Sequence, residues 1–209
     1  LFALFALLFV WACASDENQY LRNPALSAEA KAVTIGLYPL GPFDSTYLGL
    51  LKGEVEHFYG YHVVIMQGSK LPKSAYYAPR NRYRADTLLD YLLGVRPKTV
   101  DYMVGLTAVD ISCTNGTYLD WGVFGLGYMP GGSCVVSTFR LRKGAKSETH
   151  FRERLSKVVL HELGHNFGLN HCTSPSCFMH DAEGTIKSVD REQKNLCAGC
   201  KQKLKTLMK

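Results

Sequence analysis

The chain has 209 residues, of which 46% are hydrophobic and 20% charged, with a formal net charge of +6 and a pI near 8.9. That apolar content supports a full core and excludes a chain that is disordered throughout. Neither an internal repeat nor a low-complexity tract is present, which excludes repeat architectures.

Residues 1–12, LFALFALLFVWA, are wholly apolar, and composition then shifts abruptly to CASDENQ. The run is shorter than the ~20 residues of a membrane-spanning helix and reads as the hydrophobic part of an export signal, with the numbering starting partway through it. Val10-Trp11-Ala12-Cys13 resembles a bacterial lipobox in which Cys13 is lipidated, although Trp11 fits awkwardly; cleavage by ordinary signal peptidase after Ala14 is the alternative. Residues 13–31, polar with Pro24 and several alanines, serve as a tether. The expectation is an exported protein, either anchored to a bacterial-type envelope by lipid or released as a periplasmic or secreted form.

The remainder, 32–209, suits one domain with two subdomains around a cleft. AVTIGLYPL (32–40) reads as a strand, TYLGLLKGEVEHFYG as a helix ended by Gly60, and HVVIMQG (62–68) as a second strand. The tyrosine-rich, basic stretch 69–83 reads as a loop, RADTLLDYLLGV as a second helix, and VDYMVGLTAV as a buried strand. GVFGLGYM and CVVSTFRL read as antiparallel strands joined through Pro130-Gly131-Gly132. In the helix that follows, Phe151, Leu155, Val158 and Val159 are spaced to face the core. This order predicts an α+β fold, a mixed twisted sheet backed by helices.

The segment HELGHNFGLNHC (161–172) carries chemistry. His161 and His165 are four residues apart, so on a helix both imidazoles project from one face and can grip one ion. Glu162 sits one residue round, where a carboxylate can accept a proton from water on the metal and return it to a leaving amine. Gly168 lies where the helix should stop, and a left-handed glycine there turns the chain so that His171 reaches the same ion. Three neutral histidines leave the fourth position of a zinc tetrahedron open, as catalytic sites do. An isolated HExxH also reads as a helix with two surface histidines; the glycine and third histidine in register argue against that.

HExxHxxGxxH followed by a methionine turn resembles the metzincin clan of zinc peptidases. Cys172 after the third histidine, Cys177-Phe178-Met179, and Cys197-Ala198-Gly199-Cys200 extend the likeness, and the whole pattern resembles the archaemetzincin family over roughly residues 32–201. The resemblance implies a metzincin-like zincin fold, an upper subdomain (32–168) and a lower one (169–209), and peptidase activity on peptide or protein substrates. It also implies that Met179 lies beneath the catalytic metal in a supporting role. Metzincins place an antiparallel edge strand along the cleft, and GVFGLG (122–127) is the candidate, its glycines marking either close backbone approach or a bulge.

Cys172, Cys177, Cys197 and Cys200 run C-x4-C-x19-C-x2-C, a spacing suited to a closed structural zinc, with two disulfides as the competing reading. Two zinc ions are therefore expected, one catalytic and one structural, the second stapling a small C-terminal subdomain. Cys113 and Cys134 remain, either as a disulfide across neighbouring strands or as two buried thiols. His180 reads as a surface or supporting histidine, and His57, His62 and His150 as ordinary polar residues. Lys201, Lys203, Lys205 and Lys209 form a basic tail that favours anionic membranes; without aromatic interleaving or a binding motif, nucleic acid is not an expected partner. A monomer is expected. The rival readings are a catalytically idle peptide-binding surface protein, which has no use for Glu162, and hydrolysis of another amide such as a cell-wall cross-bridge.

Overall fold

The structure, a computed structural model, describes residues 33–182 and 184–208. The export signal, Cys13 and the tether lie outside the described residues. In chain order the elements are β1 (Thr34–Pro39), α1 (Thr46–Tyr59), β2 (His62–Ile65), β3 (Tyr76–Tyr77), β4 (Arg82–Arg84), α2 (Ala85–Val95), β5 (Tyr102–Thr107), β6 (Ile111–Asn115), β7 (Tyr118–Val123), β8 (Gly125–Gly127), β9 (Ser133–Ser137), α3 (Thr138–Arg142), α4 (Glu148–Asn166), α5 (Ile186–Arg191) and α6 (Ala198–Leu207). No helix among the described residues is long and apolar enough to cross a membrane.

The main sheet has the order β2-β1-β5-β9-β8, with β8 antiparallel to β9 and the other pairs parallel. Successive strand residues point to opposite faces, so each central strand feeds two cores. Ile35, Leu37, Val104, Leu106 and Val136 pack with α1 and α4 on one face. Tyr38, Met103 and Val135 pack with Leu88, Leu89 and Leu92 of α2 on the other. Burial on both faces explains why β1 and β5 read as nearly unbroken apolar runs. The expected mixed sheet with backing helices is thus present, and β8 is its antiparallel edge.

Three expectations need correction. The strand expected from Gly122 is split: Gly122 and Val123 end β7 in a second sheet of order β3-β4-β6-β7, and only Gly125–Gly127 joins the main sheet. The strand through Leu141 stops at Ser137, because Ser137 Oγ accepts from the amide of Phe139 at 3.1 Å and starts α3 as an N-cap. The stretch 69–83 is not all loop, since Tyr76–Tyr77 pairs antiparallel with β4, and β4 lies parallel to β6. Arg82, from β4, sits between Asp110 and Asp120 at 2.8 Å from each, and Arg140 reaches Asp110 at 2.7 Å, so charge pairs tie the small sheet to the main body.

Of the two readings of Cys113 and Cys134, the structure shows free thiols rather than a disulfide. Cys113 is half-buried opposite Trp121 in the small sheet, and Cys134 is buried in β9 of the main sheet.

Candidate metal centre and cleft

Helix α4 delivers the first two histidines and stops where the sequence says it should. Gly168 adopts φ 94°; its amide donates to His165 O at 2.8 Å, and the Leu169 amide donates to Gly164 O at 2.9 Å. These two bonds are the Schellman closure of a helix, and only a residue free of a Cβ takes that conformation without cost. The reversal carries the chain to His171. Nε2 of His165 lies 3.0 Å from Nε2 of His161 and 3.2 Å from Nε2 of His171.

Two of these rings are oriented by backbone. His161 Nδ1 is 2.6 Å from Phe178 O, and His165 Nδ1 is 2.7 Å from Leu169 O. A carbonyl only accepts, so each Nδ1 carries the proton and each Nε2 presents a lone pair. Lone pairs about 3 Å apart repel unless a cation lies between them. A tetrahedral zinc with Zn–N of about 2.0–2.1 Å spaces its nitrogens by roughly 3.3–3.4 Å, close to what is found. Burial, with the neighbouring His165 acting in the same direction, depresses His161 to about 3, so its ring is neutral and free to ligate. The donor set therefore fits zinc.

The third histidine is oriented differently. His171 Nδ1 lies 3.3 Å from Asp181 Oδ2, a carboxylate–histidine pair of the kind that orients a metal ligand. Asp181 was not anticipated from sequence.

Glu162 is 6% exposed and lies against the edge strand. A Cβ added at Gly125 would fall 2.6 Å from Glu162 Oε1, and one at Gly127 would fall 2.9 Å from Glu162 O. The glycines of β8 thus allow close approach to Glu162. Burial raises the Glu162 carboxyl to about 8, and a dipositive charge beside it acts in the opposite direction.

The four cysteines converge in the same region. The ligand atoms of Cys172, Cys177, Cys197 and Cys200 lie within 4.8 Å of one another, as do those of the three histidines. Cys172 and Cys197 sulfurs are 3.6 Å apart, far beyond the ~2.05 Å of a disulfide and near the ~3.8 Å spacing of sulfurs on a tetrahedral zinc. All four are free thiols, which removes the two-disulfide reading. The amide of Cys197 donates to Cys177 Sγ at 3.3 Å and that of Ser174 to Cys172 Sγ at 3.4 Å.

Residues 53–206 match peptidase family M54. The chain belongs to that family. The M54 match is joined by archaemetzincins from Halobacterium salinarum, 31% identical over 80% of this chain and 97% of that protein, and from Methanopyrus kandleri, 33% identical over 80% and 91%. The crystal structure of the Methanopyrus kandleri archaemetzincin superposes with a TM-score of 0.75 at 30% identity, covering 88% of this chain and 99% of that one. That of Archaeoglobus fulgidus, a complex with malonate, gives 0.70 at 27% identity, covering 82% and 99%. As an M54 member the chain is a zinc metallopeptidase with the archaemetzincin fold.

In this M54 peptidase Met179 is fully buried, with its Sδ 2.5 Å from where a Cβ on Gly164 would stand. Gly164 lies on the helical turn between His161 and His165, so the methionine packs directly against the ligand-bearing turn. His180 Nδ1 is 2.9 Å from Cys172 O, which makes it a brace for the lower segment. His150 Nε2 pairs with Asp190 at 2.7 Å, outside the metal centre.

The histidines open onto a cleft of about 420 Å³. Its lining includes Trp121 and Phe124 from the β7–β8 segment, and Val158, Asp181, Val189 and Glu192. The β6–β7 ribbon that supplies Trp121 was not anticipated from sequence; Asn115-Gly116 at its turn is the hairpin signal that could have disclosed it.

Proposed function

We propose that the protein cleaves peptide bonds with Glu162 as the group that takes up and returns protons, His161, His165 and His171 holding one zinc, and the four cysteines holding a second, structural zinc. When bound, zinc at the histidines supplies an acidified water and a Lewis-acid contact for the substrate carbonyl. Glu162 is within the cleft and shielded from bulk solvent, where a carboxylate moves a proton between water and the leaving amine. An extended peptide adds to the free edge of β8, which lies next to Glu162, and Gly125 and Gly127 let the two backbones come close.

The observation that carries this reading is the pinning of two Nδ1 atoms on backbone carbonyls while three Nε2 atoms converge beside a buried glutamate. A binding protein without turnover needs no such glutamate. Glu162→Gln keeps the shape and removes the base, so turnover on a quenched peptide library should vanish while zinc content holds. Full hydrolysis by that variant would overturn the proposal.

The apolar run at 1–12 and Cys13 support an exported, lipid-anchored form. Metabolic labelling with a fatty acid tests it, with incorporation expected in the full-length chain and lost in Cys13→Ser.

A further inference from the structure

Glu192 follows α5, lines the cleft and is 6% exposed, yet its Oε1 has no hydrogen-bond partner. A buried oxygen left unpaired is costly, so either the side chain serves the fold or it awaits a partner.

The fold is served by the backbone of Glu192, not by its carboxylate. Its amide donates to Ser188 O at 3.1 Å, closing α5. Lys157, from α4, donates its ammonium to Glu192 O at 2.8 Å and to Val189 O at 2.7 Å. Lys157 thus spends two of its three N–H bonds on the C-terminal carbonyls of α5, and this is what holds the cleft wall against α4. Arg154 reinforces the same wall through Asp190 at 2.6 Å.

We propose that Glu192 is a specificity-determining residue of the cleft, its carboxylate accepting hydrogen bonds from the cationic side chain of a peptide lysine or arginine that flanks the scissile bond. The proposal rests on the peptidase reading of the cleft. Charges facing Glu192 are Lys157, His180 and Arg191 on the positive side and Asp181 on the negative. Burial raises the Glu192 carboxyl to about 7, and Lys157 opposes that rise only in part. An ammonium or guanidinium entering the cleft supplies the missing donor to Oε1 and adds to the opposite charge that Lys157 provides only in part. An apolar side chain leaves the oxygen unpaired, and an acidic one adds a like charge, so the same carboxylate selects against both.

The test uses zinc-loaded Glu162→Gln protein, in which binding is read without turnover. Two peptides differ only in lysine versus norleucine at the positions flanking the bond, and titration calorimetry gives their Kd values. The lysine peptide should bind about tenfold more tightly, as a hydrogen bond to a charged group implies. In Glu162→Gln/Glu192→Gln the two peptides should bind within about twofold of each other. An unchanged ratio in the double variant overturns the proposal. So does tighter binding of norleucine by the single variant, a result that needs no change at Glu192. If wild-type protein cleaves neither peptide while the lysine preference in binding holds, the peptidase reading fails and the role of Glu192 stands.

Discussion

The amide of Cys172 donates to the carbonyl of Met179 at 2.7 Å. Cys172 directly follows His171 and contributes to the sulfur cluster, while Met179 packs beneath the turn that carries His161 and His165. One backbone bond therefore links the third histidine, the methionine turn and the cysteine cluster, and a disturbance at any of them reaches the other two.

Met179 is the most direct probe of that linkage. Met179→Ala removes a fully buried side chain and should lower folding stability by about 2–5 kcal/mol, whereas Met179→Leu, close in volume, should cost less than about 1.5 kcal/mol. Denaturant titration of both variants with zinc bound checks the difference.

Gly125→Ala places a Cβ 2.6 Å from Glu162 Oε1 and should displace that carboxylate. A misplacement of this size should reduce kcat/KM on the order of 100-fold, with a stability loss of about 1–3 kcal/mol. Steady-state kinetics alongside thermal melting separates the two effects, since the loss of rate exceeds what unfolding accounts for at a temperature where the variant is folded.

Acid stability should depend on Asp190. Hydrogen bonds from Arg154 in the first place, with His150 adding to them, lower its carboxyl from 3.8 to about 2. Because the folded value lies below the unfolded one, the stabilisation is fully present above about 4 and is lost as pH falls toward 2. Asp190→Asn should flatten the stability difference over that window. It should also cost about 3 kcal/mol at neutral pH, since Arg154 is 2% exposed and loses its charged partner. Urea unfolding of wild type and variant across pH 2–7 gives both quantities.

What the sequence disclosed follows from how local each signal is. Apolar runs and 3.6-residue spacing within one segment disclosed β1, β5, α1, α2 and α4, and a fixed spacing along the chain disclosed the histidines and cysteines as ligand sets. The small sheet was hidden because β3 and β4 are two and three residues long and β4 is held by ion pairs from Arg82 to Asp110 and Asp120, distant in sequence. Asp181 and Glu192 were hidden for a similar reason. Each gains its place only when the lower segment folds back on α4, and neither lies at a spacing that marks a ligand or a cap.

On the proposed reading, the histidine and cysteine clusters are two zinc sites joined through Cys172 and Met179. Elemental analysis of zinc per chain, for wild type and Cys197→Ser, with peptide cleavage measured in parallel, tests it most directly. Two zinc ions in the wild type, falling to one or fewer in the variant together with cleavage, is the predicted result. One zinc in both proteins with cleavage unchanged would contradict it.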